Sequence, residues 1–159
     1  MLCAALDGTV KFCNAVNFEE EWKQTNEQRK AKNHICITTM DFSEKMGLLA
    51  LGGAEGMLML LDPLALGIMG CSRAHTEEII GVYFYAEQLQ IITVAIDRTI
   101  CIWDANRLEV IQSFKDKILK CLKFTSTCFD TKRGILFTGC QMVKLWRAEV
   151  DPDLEVKAL

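Results

Sequence analysis

Eight thiols and two imidazoles are the side chains of this 159-residue sequence best suited to hold a metal or to act as a nucleophile and its base. The cysteines are Cys3, Cys13, Cys36, Cys71, Cys101, Cys121, Cys128 and Cys140, and the histidines are His34 and His75. A structural zinc site draws four such ligands, usually from short Cys-x-x-Cys or paired-histidine spacings. No Cys-x-x-Cys occurs, and Cys121 and Cys128 stand too far apart to form one. A metal or thiol site would need residues converging from distant segments. Cys101 and His75 are a formal nucleophile and base, yet neither lies in a nucleophile elbow or a protease signature. Gly52-Gly53 and Gly67 to Gly70 are followed by neither Lys-Ser/Thr nor a helix start, so they make no phosphate-binding loop. Asp7, Asp62, Asp97 and Asp104 recur singly, as turn-forming acids do. The expectation is a chain with no catalytic residues, no cofactor and no bound metal.

Composition narrows the function further. Half the residues are apolar, enough for a sizeable core in a single domain. The net charge of −3 provides no basic stripe to neutralise phosphates, which argues against nucleic acid as a partner. Residues 46–71 are strongly apolar, but Glu55, Asp62 and Pro63 break them into pieces far shorter than the ~18 residues of a spanning helix. No membrane partner is expected. No basic region precedes an apolar run at the N-terminus, so the thiols are read as reduced, mostly buried groups of a cytoplasmic protein.

The elements that carry these residues repeat. Glu55-Gly56-Met57-Leu58-Met59-Leu60-Leu61-Asp62, Asp97-Arg98-Thr99-Ile100-Cys101-Ile102-Trp103-Asp104 and Gln141-Met142-Val143-Lys144-Leu145-Trp146 share one pattern, and Asp7-Gly8-Thr9-Val10-Lys11-Phe12-Cys13 is a partial copy. Their equivalent positions, Cys13, Leu61, Trp103 and Trp146, are separated by 48, 42 and 43 residues. A period near 42 suits one four-stranded propeller blade of ~40 to 45 residues.

Short runs rich in β-branched and aromatic residues fill each period. In the best copy they are Ile79 to Phe84, Leu89 to Ala95, Thr99 to Trp103 and Leu108 to Phe114. Upstream they are Cys36 to Phe42, Leu48 to Gly52, Met57 to Leu61 and Leu66 to Cys71. Downstream they are Ile118 to Phe124, Ile135 to Gly139, Met142 to Trp146 and Leu154 to Val156. Residues 1–34 are a partial blade with a charged loop, 35–74 and 75–116 are blades, and 117–159 is a blade with a C-terminal tail. Between Glu19 and Lys32 acids and bases surround Trp22. The spacing of Glu19 and Lys23 would also serve a short helix, but the segment is read as a solvated hairpin or inter-blade loop.

Residues 3 to 147 resemble the WD-repeat β-propeller family, with Trp103-Asp104 at the place of its Trp-Asp dipeptide and Ala74-His75 where a Gly-His pair often opens a blade. The phrasing Gly53-Ala54-Glu55-Gly56 and Asp62-Pro63 is similar to a divergent group of large WD-repeat proteins, some associated with cilia. The resemblance implies a structural network of His75, Thr93, Asp97 and Trp103, in which Ala95 is the alternative to Thr93 on the same strand face. The equivalent positions elsewhere are Asp7, Asp62, Thr138 and Trp146, with Cys140 in place of the turn aspartate and Lys115-Asp116 in place of Gly-His.

It implies an all-β fold and a non-catalytic scaffold for protein partners, cytoplasmic or else ciliary or axonemal. The alternative is an enzyme or metal-binding domain whose polar residues line an axial channel. Closed propellers carry four to eight blades, whereas about three and a half are legible. Asp7 to Cys13 is read as a third strand with no first or second strand before it. The expectation is an open arc, a fragment or short isoform of a longer protein that supplies the remaining blades, with apolar surface exposed at its ends.

Overall fold

The computed structural model describes residues 2–4, 10–13, 20–24, 36–65, 67–116 and 123–147. Fourteen strands are described: β1 (Leu2–Ala4), β2 (Val10–Cys13), β3 (Glu20–Gln24), β4 (Ile37–Ser43), β5 (Leu48–Gly53), β6 (Met57–Asp62), β7 (Gly67–Arg73), β8 (Ile79–Tyr85), β9 (Gln90–Ala95), β10 (Thr99–Asp104), β11 (Glu109–Lys115), β12 (Ser126–Asp130), β13 (Ile135–Gly139) and β14 (Val143–Arg147). They form four antiparallel meanders: sheet A (β1 to β3), sheet B (β4 to β7), sheet C (β8 to β11) and sheet D (β12 to β14). The molecule is an unclosed, partial propeller, all β among the described residues.

Period-two alternation sends each sheet's apolar residues to both faces. Ala50, Leu58 and Leu60 of sheet B pack with Ile79, Val82, Phe84, Ile91, Cys101 and Trp103 of sheet C. The opposite face of sheet B buries Leu49, Leu51, Met59 and Leu61. Likewise Ile92, Val94 and Ile100 leave sheet C on its other side to meet Phe124, Leu136 and Trp146. The middle strands, buried on both faces, therefore read as continuous apolar runs, while the outermost strands β7 and β11 lie largely in solvent.

Register confirms the equivalence of the repeat positions independently of residue type. Where the third strand pairs with the fourth, the ladder slips between Phe12 and Cys13, between Leu60 and Leu61, and between Ile102 and Trp103. A bulge at one point of three sheets is a property of the blade.

Several sequence expectations are corrected. A strand does precede Asp7 to Cys13: Leu2–Ala4 pairs with Val10–Cys13 in the place of a second strand. Residues Glu20–Gln24 of the charged excursion are a strand, with Trp22 opposite Phe12. While residues 118–122 of the expected run lie outside the described residues, Ser126–Asp130 pairs with Ile135–Gly139 in the place of sheet D's first strand. Its end is fixed by Asp130, whose Oδ1 accepts from the backbone N–H of Lys132 and Arg133, with Gly134 at a φ of 65° closing the turn. Leu89 and Leu108 belong to turns at positive φ, so the strands start one residue later. Asp7, His34, Leu66, Cys121 and the strand expected at Leu154 to Val156 lie outside the described residues.

Candidate functional site

Strand β9 carries Thr93 and the neighbouring β10 carries Trp103 across the ladder, while His75 sits in the link between β7 and β8. All three are buried. The Trp103 indole donates to Thr93 Oγ1 at 2.8 Å, and the same oxygen lies 2.6 Å from His75 Nε2. A hydroxyl has one proton to give and two lone pairs, so Thr93 Oγ1 accepts the indole proton and pairs with Nε2 as donor or acceptor according to the tautomer of the ring. Nδ1 has no hydrogen-bond partner among the described residues. Burial lowers the His75 pKa to about 4, against the opposing pull of Asp97. Ala95, the alternative at the end of β9, pairs in register with Ile79.

Asp97 does not join this trio by a hydrogen bond. Its carboxylate accepts from Thr99 N at 3.0 Å, Thr99 Oγ1 at 2.9 Å and Thr76 Oγ1 at 3.2 Å, and meets Lys115 Nζ at 3.5 Å. Burial pushes its pKa up, but the Thr99 hydrogen bonds, Lys115 and Thr76 together hold it below the ordinary value. The chemistry is that of a turn lock: Asp97 fixes the β9–β10 turn, where Arg98 takes a φ of 70°.

Sheet D repeats part of the arrangement. Trp146 Nε1 donates to Thr138 Oγ1 at 2.9 Å. Where a histidine would open the blade, the buried Asp116 accepts from buried Lys144 at 2.5 Å, and the ammonium lies 5.8 Å from the Trp146 ring centroid. Asp62 and Asp104 hold turns, each Oδ1 accepting two backbone N–H groups, from Leu64 and Ala65 and from Asn106 and Arg107. Cys140, at the place of the turn aspartate, reaches the Met142 carbonyl at 3.5 Å.

Side chains that the sequence reading passed over bind one sheet to the next. Thr38 Oγ1 donates to the Ile79 carbonyl at 2.5 Å, and Asp41 Oδ2 accepts from Phe84 N at 2.7 Å. Tyr83 and Thr127 share a hydroxyl hydrogen bond of 2.6 Å. Lys45 meets Glu87 at 3.1 Å and Lys123 meets Glu77 at 3.4 Å. Asp41, Tyr83 and Cys128 lie opposite Ala50, Ile92 and Phe137, so they occupy one position of the first strand. An alignment of first strands by that position would have found them.

The ends of β4 and β8 and the turn after β12 surround a cavity of about 480 Å³ whose lining includes Asp41, Phe42, Glu44, Lys45, Glu87 and Lys132. It offers both charge signs and an exposed aromatic, suited to contact with a polypeptide. The Cys101 and His75 pair is unsuited to acyl transfer. Burial raises the thiol pKa, Cys101 Sγ points to Ser113 Oγ at 3.3 Å, and a base with a pKa of about 4 takes no proton at neutral pH. Among the described residues, no three His, Cys, Asp or Glu side chains form a metal-holding group, and no helix is long and apolar enough to cross a membrane.

Comparison with known proteins defines the class. The fold matches a chain of a mitotic checkpoint complex (TM-score 0.72, 14% identity, 92% of this chain and 46% of that one). It also matches Saccharomyces cerevisiae Sqt1 (TM-score 0.77, 17% identity, 98% of this chain and 43% of that one) and U3-55K (TM-score 0.79, 12% identity, 99% of this chain and 47% of that one). These are WD40-type propellers, and at such low identity the likeness is one of fold. The chain spans a little under half the length of each. No family model and no curated protein sequence matches it.

Proposed function

We propose that this chain is a non-catalytic scaffold for protein–protein interaction, contributing part of a WD-repeat propeller that belongs to a larger protein. The observation that carries the reading is the cavity where β4, β8 and the turn after β12 converge: three successive sheets present acids, bases and Phe42 on one surface. Convergence of loops from a rigid framework is how such folds build binding sites. The mixed charge favours a protein partner over nucleic acid or membrane, and the reading includes a cytoplasmic setting, with a ciliary or axonemal one as the alternative.

A photo-activatable residue in place of Phe42 tests it, compared with the same residue on the far side at Met69. The expected result is a protein adduct specific to position 42 that Lys132→Glu or Glu44→Lys diminishes. Equal labelling from both positions, indifferent to the charge reversals, would overturn it.

A further inference from the structure

The turns that follow the first strands of sheets B, C and D are built alike. Each closes on a residue at positive φ, Gly47, Leu89 and Gly134, at 65°, 52° and 65°. Two residues earlier stand Lys45, Glu87 and Lys132, so one turn position carries base, acid and base around the cavity. Lys45 and Glu87 satisfy each other at 3.1 Å. Lys132 has no ion-pair partner among the described residues, and neither has Glu44 in the turn of sheet B. Asp41 is engaged, its two oxygens accepting from Phe42 N at 3.0 Å and Phe84 N at 2.7 Å. One uncommitted carboxylate and one uncommitted ammonium therefore stand exposed on different sheets of the same cavity. Phe42, two residues before that carboxylate, is 41% exposed and lines it too.

We propose that the cavity receives a polypeptide segment bearing one basic and one acidic side chain, the basic one stacked on Phe42 against Glu44 and the acidic one on Lys132. This rests on the scaffold reading and adds the chemistry of the occupant. Charge complementarity selects it. A doubly basic segment brings its second cation against Lys132, while a doubly acidic one, or the phosphates of a nucleic acid, meets Glu44. A neutral segment desolvates both charges without pairing them. Arginine suits the Glu44 side better than lysine, because its flat guanidinium stacks on an aromatic face while its N–H groups pair with a carboxylate. The volume of about 480 Å³ lies within the ~300 to 1,000 Å³ of ligand clefts, room for a few side chains and not for a folded domain.

Fluorescence anisotropy of labelled short peptides on the 159-residue chain tests it. One peptide set holds an arginine and a glutamate a few residues apart in a neutral background, and matched sets carry two arginines, two glutamates or neither. The mixed-charge set is expected to bind about tenfold more tightly than the other three. Glu44→Lys is expected to transfer the preference to the two-glutamate set, and Lys132→Glu to the two-arginine set. Exchange of the peptide's arginine for lysine should weaken binding about threefold in the wild type and change it little in Phe42→Ala. All three positions are exposed, so each variant is expected to retain the wild-type circular dichroism spectrum. No binding up to about 1 mM peptide, a ranking led by the like-charged or neutral sets, or a ranking that neither reversal moves would each overturn the proposal. If that happens while the Phe42-specific adduct persists, this inference falls and the scaffold reading stands.

Discussion

The indole N–H of Trp103 and the hydroxyl of Thr93 meet at 2.8 Å in the fully buried seam between sheets B and C. The bond answers a need: an apolar seam admits an indole only if its N–H has an acceptor. Thr93→Val removes that acceptor and the partner of His75 Nε2 together, leaving two buried polar atoms unmatched. A loss of about 2 to 4 kcal/mol in urea unfolding is expected, while Thr93→Ser retains most of the stability. Equal stability of Thr93→Val and the wild type would show the bond to be dispensable.

Acid should loosen the same seam through His75. Its folded pKa is about 4 against an ordinary 6.5, so the neutral ring is the form that the fold accommodates. The stabilisation is complete above pH 6.5, declines as the pH falls, and is gone below the folded value. Between pH 6.5 and 5 the expected loss is about 2 kcal/mol. His75→Gln should flatten that window, which chemical denaturation at each pH would reveal.

The buried pair of Lys144 and Asp116 offers a second seam to probe. Lys144→Met alone takes the cation away from a buried carboxylate, and a loss of about 3 to 5 kcal/mol is expected. The double variant Lys144→Met, Asp116→Leu should recover much of it. A double-mutant cycle by thermal or urea unfolding measures the coupling, and additive losses would count against it.

Gly56 is held at a φ of 75°, and a β-carbon there would run into the backbone carbonyls of His75 and Glu77. Gly56→Ala combines left-handed strain of about 1 to 2 kcal/mol with that collision, and is expected to destabilise the B–C seam by more than the strain alone. Arg98 occupies the matching turn of sheet C at a φ of 70°, where Arg98→Gly relieves the strain. Differential scanning calorimetry should rank the two substitutions in opposite directions.

Thiol reactivity should follow exposure and pKa. Cys71 and Cys128 are exposed, whereas Cys101 is buried with its pKa raised. An aromatic disulfide reagent followed by mass spectrometry is expected to label the first two rapidly in the native protein and Cys101 only on unfolding. Rapid native labelling of Cys101 would contradict the packing of the B–C seam.

Much of this was legible in the chain because the middle strands of a blade are buried on both faces. Met57 to Leu61 and Thr99 to Trp103 leave an apolar signature at a fixed period. The first strand of sheet D was not legible, because Ser126-Thr127-Cys128-Phe129-Asp130 is polar enough to read as a loop beside the apolar Ile118 to Phe124. Only its ladder to Ile135–Gly139 and the turn held by Asp130 mark it as a strand.

The sequence by itself determined the repeat, the blade and the residues buried at its centre, since periodicity and turn chemistry are local properties of the chain. Tertiary structure decided the connections. It placed His75 on Thr93 but turned Asp97 toward Thr99 and Thr76, it brought Asp116 to Lys144, and it left Val143 uncovered where Ile100 is buried. Apart from the local Asp97–Thr99 turn contact, these depend on how distant segments pack, through side chains that are 18 to 28 residues apart in the hydrogen-bonded pairs and invisible to any local pattern.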